Sequence, residues 1–161
     1  MFTWNFQLVS KSRLIDIFQQ LHLDSSKGDI LIRIHTAAHY AEEAVELAAY
    51  LKELVPGAMI FGTSTSEVIM DGKLMKNQCV ISVTQMNGGR VKTAMIPIFA
   101  EDGTTFRTTD ELCEDIKEML VSEDTELLLT FLTIDYNDIG GFVEKTNDYI
   151  PGVKMIGGIA D

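Results

Sequence analysis

Hydroxyl-bearing side chains are concentrated in one short segment, residues 62–67, whose sequence is Gly-Thr-Ser-Thr-Ser-Glu. The segment follows an apolar stretch that predicts a parallel strand, and ligands of open α/β sheets bind at the carboxyl ends of such strands. Hydroxyl groups and backbone N–H groups at this place can hold a carboxylate or a phosphate. The competing interpretation is a turn whose hydroxyls bond to their own backbone. The candidate ligand-binding residues of this segment are Gly62, Thr63, Ser64, Thr65, Ser66 and Glu67.

The segment lacks the signatures of two well-defined functional turns. No Gly-Lys-Ser or Gly-Lys-Thr follows it, which excludes a P-loop. Gly-x-Ser-x-Gly is absent, which excludes a nucleophile elbow. We therefore assign no catalytic residue and expect a binding domain rather than an enzyme.

Two other functions stay open at this point. A hydrolase or transferase could use Ser64, Thr65 or Cys79 as its nucleophile, and it would need a base within about 3 Å of that atom. A protein-interaction module is the third alternative. An exposed apolar patch without a pocket would favour that module.

Histidine and cysteine residues offer little further chemistry. His35 closes an apolar strand and becomes a candidate ligand partner, while His39 opens the following helix. No Cys/His cluster completes a metal site, so we predict neither a metal nor a cofactor. Cys79 and Cys113 lie in apolar runs and are too few for a disulfide framework, so we expect two separate, reduced thiols.

The composition indicates which kinds of binding partner and which cellular compartment to expect. Asp and Glu number 24 against 13 Lys and Arg, for a net charge of −11, which disfavours nucleic acid and anionic lipid surfaces. No apolar run approaches the roughly 20 residues of a membrane span, and residues 1–6 do not resemble a signal peptide. We predict a cytoplasmic domain that binds a small molecule and no nucleic acid.

Hydrophobic periodicity predicts an α/β fold with strand–helix–strand units and an antiparallel meander between them. The predicted strands are 2–9, 29–35, 58–62, 79–86, 91–99, 126–133 and 153–157, with a further extended stretch at 67–70. The predicted helices are 11–22, 38–55, 109–121 and 137–150. Asn87-Gly88-Gly89 predicts a hairpin that joins 79–86 to 91–99. Strand–helix–strand units are parallel, so we expect strands 29–35, 58–62, 126–133 and 153–157 to share one mixed sheet.

The two strand–helix–strand units also indicate an internal duplication. Pro56-Gly57 and Gly62 recur as Pro151-Gly152 and Gly157 at one constant offset. We expect the two copies to superpose and the turns after Gly62 and Gly157 to lie on one edge of the sheet. Gly157 and Gly158 would then allow close approach of the backbone to a ligand, and they join the candidate binding residues.

These motifs resemble the N-terminal portion of the FIST family of sensory domains of intracellular signal transduction. The resemblance covers residues 28–161 and is carried by three features: the unit ending in residues 56–67, the meander after it, and residues 151–161. It implies an input domain that binds small ligands, with amino acids proposed. It also implies an effector module on the same chain or pathway, such as a cyclic-dinucleotide enzyme, a histidine kinase or a chemotaxis-type module.

Two departures from the family pattern bear on the ligand contacts. A glycine usual between the hydroxyl run and the acidic residue is missing, because Ser66 runs directly into Glu67. Ala160 stands where a glycine usually precedes the final Asp161. Residues 1–161 are expected to form a single sensory domain truncated at its C-terminus, because the second copy stops directly after its strand.

Overall fold

The computed structural model describes residues 1–8, 10–37, 41–65, 67–70, 72–133, 135–136 and 138–160. The chain divides into two compact units, which comprise residues 1–93 and 94–160. Among the described helices, none combines the length and the apolar character that crossing a membrane requires.

The first unit contains a four-stranded mixed sheet, two helices and a hairpin. Its elements in chain order are β1 (Phe2–Gln7), α1 (Lys11–Leu21), β2 (Ile30–Thr36), α2 (Ala41–Leu54), β3 (Met59–Ser64), β4 (Glu67–Met70), β5 (Lys73–Lys76) and β6 (Val80–Gln85). The sheet has the order β1-β6-β2-β3. β2 and β3 are parallel, whereas β6 lies antiparallel to both β1 and β2. β4 and β5 form a separate antiparallel hairpin.

One face of this sheet forms the core of the first unit. Alternate residues of β2, Ile32 and Ile34, are almost fully buried there together with Ile81 and Val83 of β6. The helices supply the other side of this core through Leu14 and Phe18 of α1 and Leu47 and Leu51 of α2. Ser10 caps α1 by accepting a hydrogen bond from the backbone N–H of Arg13.

The opposite face of the same sheet carries polar side chains. Successive strand residues point to opposite faces, so β2 presents Arg33 and His35 on the side away from Ile32 and Ile34. Ser82 and Thr84 alternate with the core residues of β6, and both are buried. Thr3 of β1 pairs with Thr84 through their hydroxyls at 3.0 Å. We call this side of the sheet the polar face.

The second unit contains two helices and a pair of parallel strands. Its elements are α3 (Thr109–Leu120), β7 (Leu127–Thr133), α4 (Ile139–Tyr149) and β8 (Lys154–Ala160). Thr108 and Glu111 form a capping box at the start of α3, and Asp138 caps α4. The core of this unit comprises Leu112, Cys113, Ile116, Leu128, Tyr136, Phe142 and Ile150.

The α/β class and the two strand–helix–strand units are confirmed, since β2-α2-β3 and β7-α4-β8 each contain two parallel strands. The prediction that all four strands share one sheet was wrong. β2 and β3 belong to the four-stranded sheet, and β7 and β8 form a sheet of their own. A helical crossover determines pairing within its own unit, whereas pairing between distant units depends on non-local contacts that periodicity does not report.

The hairpin predicted at Asn87-Gly88-Gly89 was also wrong. Residues 91–97 form no strand, because both sides of β6 are already occupied by β1 and β2. The glycines bond instead to the segment before β2: the Gly88 N–H donates to the Lys27 carbonyl at 2.7 Å, and the Asp29 N–H donates to the Gly89 carbonyl at 3.2 Å. The antiparallel elements between the two strand–helix–strand units are therefore the β4–β5 hairpin and β6, and β6 pairs with β1 and β2 rather than with β5.

Candidate functional site

His35 and Thr63 form a direct side-chain contact at the end of two parallel strands. They occupy register positions in β2 and β3. The Nδ1 atom of His35 lies 2.9 Å from Oγ1 of Thr63, which is a hydrogen-bond distance. The fold thus brings together two candidate residues that lie far apart in the sequence, as the parallel arrangement of these strands predicts.

Thr65 and Glu67, at the end of the hydroxyl-rich segment, are engaged locally. The hydroxyl of Thr65 donates to the carbonyl of Glu67 at 3.0 Å, and its backbone N–H donates to the carbonyl of Thr36 at 2.8 Å. The carboxylate of Glu67 lies 2.8 Å from Lys76 Nζ, across the β4–β5 hairpin. The Thr65 hydroxyl therefore bonds to the nearby backbone, as expected if this segment is a turn rather than a ligand-binding site.

The remaining residues of that segment occupy different positions. Gly62 and Ser64 lie within β3, where they pair with Ile34 and Thr36 of β2. Ser66 lies outside the described residues, as does His39. The binding role of this segment stays a prediction.

A cavity of about 230 Å³ opens on the polar face beside His35. Its floor combines side chains from three neighbouring strands, and residues of β4 line it as well. The described residues that line it are Asn5, Arg33, His35, Val68, Ile69, Met70, Val80 and Ser82. The cavity thus lies on the polar face of the sheet, whereas the sequence predicts a site at the carboxyl ends of its parallel strands.

Arg33 is the strongest charge in this cavity. Its Nη2 donates to Ser82 Oγ at 2.9 Å, and Ser82 Oγ donates to Asn5 Oδ1 at 2.5 Å. The three residues are register neighbours across β2, β6 and β1, so the chain of hydrogen bonds follows from the strand pairing. The Nε atom of Arg33 is buried and has no hydrogen-bond partner among the described residues.

Burial and charge determine the protonation of the two basic side chains. Burial lowers the pKa of the Arg33 guanidinium, which nevertheless remains charged at neutral pH because a guanidinium is not deprotonated in proteins. Burial also lowers the pKa of His35, and the positive charge of Arg33 lowers it further. At neutral pH the cavity therefore contains one cation beside a neutral imidazole.

The two cysteines are free thiols in the structure. Cys79 is partly buried, and burial raises the pKa of its thiol, an effect that a hydrogen bond with Thr36 opposes. Cys113 is buried within the second unit, and burial raises its pKa as well. A raised pKa disfavours the thiolate, which is the nucleophilic form.

Gly157 and Gly158 lie within β8 of the second unit. A Cβ added at Gly157 would overlap the backbone carbonyl oxygen of Thr130 on β7, whereas one at Gly158 would meet open space. Close packing of two strands therefore explains the glycine at position 157 without a ligand. The predicted place of these glycines on a shared edge with Gly62 stays a prediction.

Charged groups also line a cavity of about 470 Å³ at the start of α3 and α4. Lys145 and Asp110 form an ion pair there, with Lys145 Nζ 2.7 Å from Asp110 Oδ1, and the Tyr149 hydroxyl donates to the same oxygen at 3.0 Å. No group of three or more His, Cys, Asp or Glu side chains in the described part of the chain could hold a metal ion.

The sequence reasoning overlooked Arg33. The signal was present, because Arg33 is a single cation flanked by Ile32 and Ile34 in the middle of an apolar strand. A charge at such a position lies inside the protein on one face or the other, and buried charges need a partner.

Comparison with known proteins agrees with the resemblance found in the motifs. The family model for the FIST N domain matches residues 31–161. No curated protein and no solved structure matches the chain. The matched range includes both strand–helix–strand units, with His35, Thr63 and the glycine turns. The chain therefore belongs to the FIST N domain family, a family of sensory domains linked to signal transduction.

Proposed function

We propose that this chain is a small-molecule-binding input domain, and that its ligand occupies the cavity on the polar face beside His35 and Thr63. The observation that carries the proposal is the convergence of Arg33, Ser82, Asn5 and His35 on one cavity of about 230 Å³. A cavity with a few convergent polar groups and perturbed titratable residues is the usual form of a ligand site.

The ligand in this proposal is small and anionic or zwitterionic, and amino acids are the first class to test. Arg33 provides a positive charge inside a protein whose net charge is −11. A neutral imidazole and a hydroxyl provide hydrogen bonds beside it. These groups suit a carboxylate, which accepts charge-assisted hydrogen bonds from a guanidinium.

Signal output requires a second component. We propose a cytoplasmic protein in which the ligand-bound domain acts on an effector: a cyclic-dinucleotide enzyme, a histidine kinase or a chemotaxis-type module on the same chain or pathway. The domain itself catalyses no reaction and binds no nucleic acid in this proposal. The basis is membership of a sensory family together with the acidic composition.

A hydrolase or transferase that uses Ser64, Thr65 or Cys79 receives less support. The hydroxyl of Thr65 donates to the Glu67 carbonyl, and burial disfavours the thiolate of Cys79. The imidazole of His35 contacts Thr63, which is not one of those three nucleophiles. Steady turnover of a ligand by the purified chain would favour the enzyme over the sensor.

The test is a thermal-shift screen of the chain with a panel of amino acids and small organic acids. A ligand that binds the native state raises the Tm by an amount that grows with the logarithm of one plus the ratio of ligand concentration to Kd. His35→Asn should remove the shift, and His22→Asn, outside the cavity, should leave it intact. The double change S64A/T65A separates the two candidate positions, because it should abolish binding at the strand edge and spare binding in the cavity. A panel without any hit would contradict the proposal.

A further inference from the structure

Arg33 is a partly buried cation whose Nε atom is fully buried, and it has no carboxylate partner among the described residues. The ion pairs of the described residues involve Lys11, Lys27, Lys76, Arg107 and Lys145. Arg33 takes part in none of them, and within the described part of the chain its guanidinium donates to the neutral hydroxyl of Ser82. Buried charges in proteins are normally paired, because an unpaired one loses its hydration without compensation.

The unsatisfied Nε atom of Arg33 belongs to the planar guanidinium, whose N–H donors match the oxygens of a carboxylate. Arg33 lines the cavity beside Ser82 and His35. A carboxylate oxygen placed there would supply both the missing acceptor and the missing negative charge. Ser82 accepts a hydrogen bond from Nη2 of the guanidinium and is itself held by Asn5, to which it donates, and this fixed position reduces the entropy lost on binding.

The lining of the cavity distinguishes between kinds of carboxylate. Among its described residues there is one cation and no Asp or Glu. An α-ammonium group would therefore enter the cavity without an anionic partner, beside Arg33 of the same sign. Val68, Met70 and Val80 instead offer apolar contact to an uncharged carbon chain.

The single positive charge of the described cavity lining also matches a monoanion better than a dianion. Arg33 is the single positive charge of the described lining, because the lowered pKa of His35 keeps its imidazole neutral at neutral pH. Phosphate, which carries close to two negative charges, would leave one of them uncompensated in a partly buried site.

We infer that the cavity at Arg33 binds the carboxylate of a small monocarboxylic acid that lacks an α-ammonium group. This inference rests on the proposed function and narrows its ligand class. Arg33 holds the carboxylate through Nε–H, and the apolar side chains of β4 and β6 contact the carbon chain. Amino acids that carry the same carboxylate bind more weakly here.

The direct test is an NMR titration of the Arg33 Nε–H signal in the unmodified chain. Propionate, alanine and propionamide share a carbon skeleton and differ in charge, so they serve as matched probes at equal ionic strength. We expect propionate to move the Arg33 signal, alanine to require at least about tenfold higher concentration, and propionamide to leave it in place. Inorganic phosphate is the dianionic probe in the same titration.

Three outcomes would overturn the inference: no response of Arg33 to propionate, an equal or stronger response to alanine, or a stronger response to phosphate. The thermal-shift screen distinguishes failure of the sensor proposal from failure of the carboxylate-site proposal. Stabilisation by the panel with no response of Arg33 to propionate would retain the sensor and reject the carboxylate site. A response to propionate without any amino-acid hit would retain the carboxylate site and reject amino acids as the ligand.

Substitution of Arg33 provides an independent readout. Arg33→Lys keeps the positive charge but removes Nε–H, and it assigns the NMR signal by eliminating it. We expect it to weaken propionate binding about tenfold, as followed through the backbone amide of Ser82. Arg13→Lys on the exposed side of α1 is the matched control and should bind as the unmodified chain does. Propionate binding that survives Arg33→Lys unchanged would place the acid elsewhere.

Discussion

The Nδ1 atom of His35 and the Oγ1 atom of Thr63 lie 2.9 Å apart across the parallel strands β2 and β3. The hydrogen bond orients an imidazole that lines the cavity, and it limits the tautomers that the ring can present to a ligand. Parallel pairing places the two residues opposite each other.

Thr63→Val tests this contact, because valine keeps the shape of threonine and removes its hydroxyl. We expect the free energy of unfolding to fall by about 1 kcal/mol, since a partly buried hydrogen bond is lost. Thr63→Ser retains the hydroxyl and should keep most of that stability. Urea unfolding monitored by circular dichroism provides the comparison. Equal stability of the valine and serine variants would mean that the bond contributes nothing.

The lowered pKa of His35 predicts a pH dependence of stability. The ordinary pKa is 6.5, and the folded state lowers it. The unfolded chain therefore binds more protons than the folded chain below pH 6.5. The stability from this group is complete above that pH and is lost as the pH falls toward the folded pKa.

Urea unfolding between about pH 7 and pH 5 measures this effect. His35→Asn should flatten the slope in that window, while His22→Asn should retain it. Carboxylates with lowered pKa values, such as Asp102 at about 2, titrate at lower pH and do not interfere. An unchanged slope in His35→Asn would contradict the prediction.

Ser82 connects Arg33 to Asn5, and its removal should destabilise the first unit. Ser82→Ala leaves the partly buried Arg33 Nη2 donor and the Asn5 oxygen without their shared, buried partner. We expect a loss of about 1–3 kcal/mol in the free energy of unfolding. Ser12→Ala, at an exposed position of α1, is the control and should change stability little. A loss no larger than that of the control would show that the network contributes little.

Gly157 and Gly158 are adjacent in β8, but only Gly157 lacks space for a side chain. Gly157→Ala should destabilise the pairing of β7 and β8 by about 1–3 kcal/mol or more, because the added methyl group overlaps the Thr130 carbonyl. Gly158→Ala meets open space and should have little effect. Thermal unfolding of the two variants gives the comparison. Equal stability would mean that strand packing does not explain the glycine at 157.

Short sequence motifs predicted many of the helices and strands, because the interactions that form these elements lie between residues close in sequence. The caps at Ser10 and at Thr108 with Glu111 are satisfied within one helical turn, so side-chain type and spacing are enough to identify them. The recurring Pro-Gly pairs marked the starts of β3 and β8 for a similar reason. The contact of His35 with Thr63 followed from a single strand–helix–strand unit.

Tertiary structure alone decided the sheet partners and the cavity. The insertion of β6 between β1 and β2 occupies both its sides, which prevents the hairpin after Gln85. The same insertion places Ser82 opposite Arg33 and Asn5, and a shift of one residue would turn these side chains to the other face. Periodicity shows that Arg33 lies in a buried strand. Only the non-local register decides which groups surround its charge, because partners distant in sequence set that register.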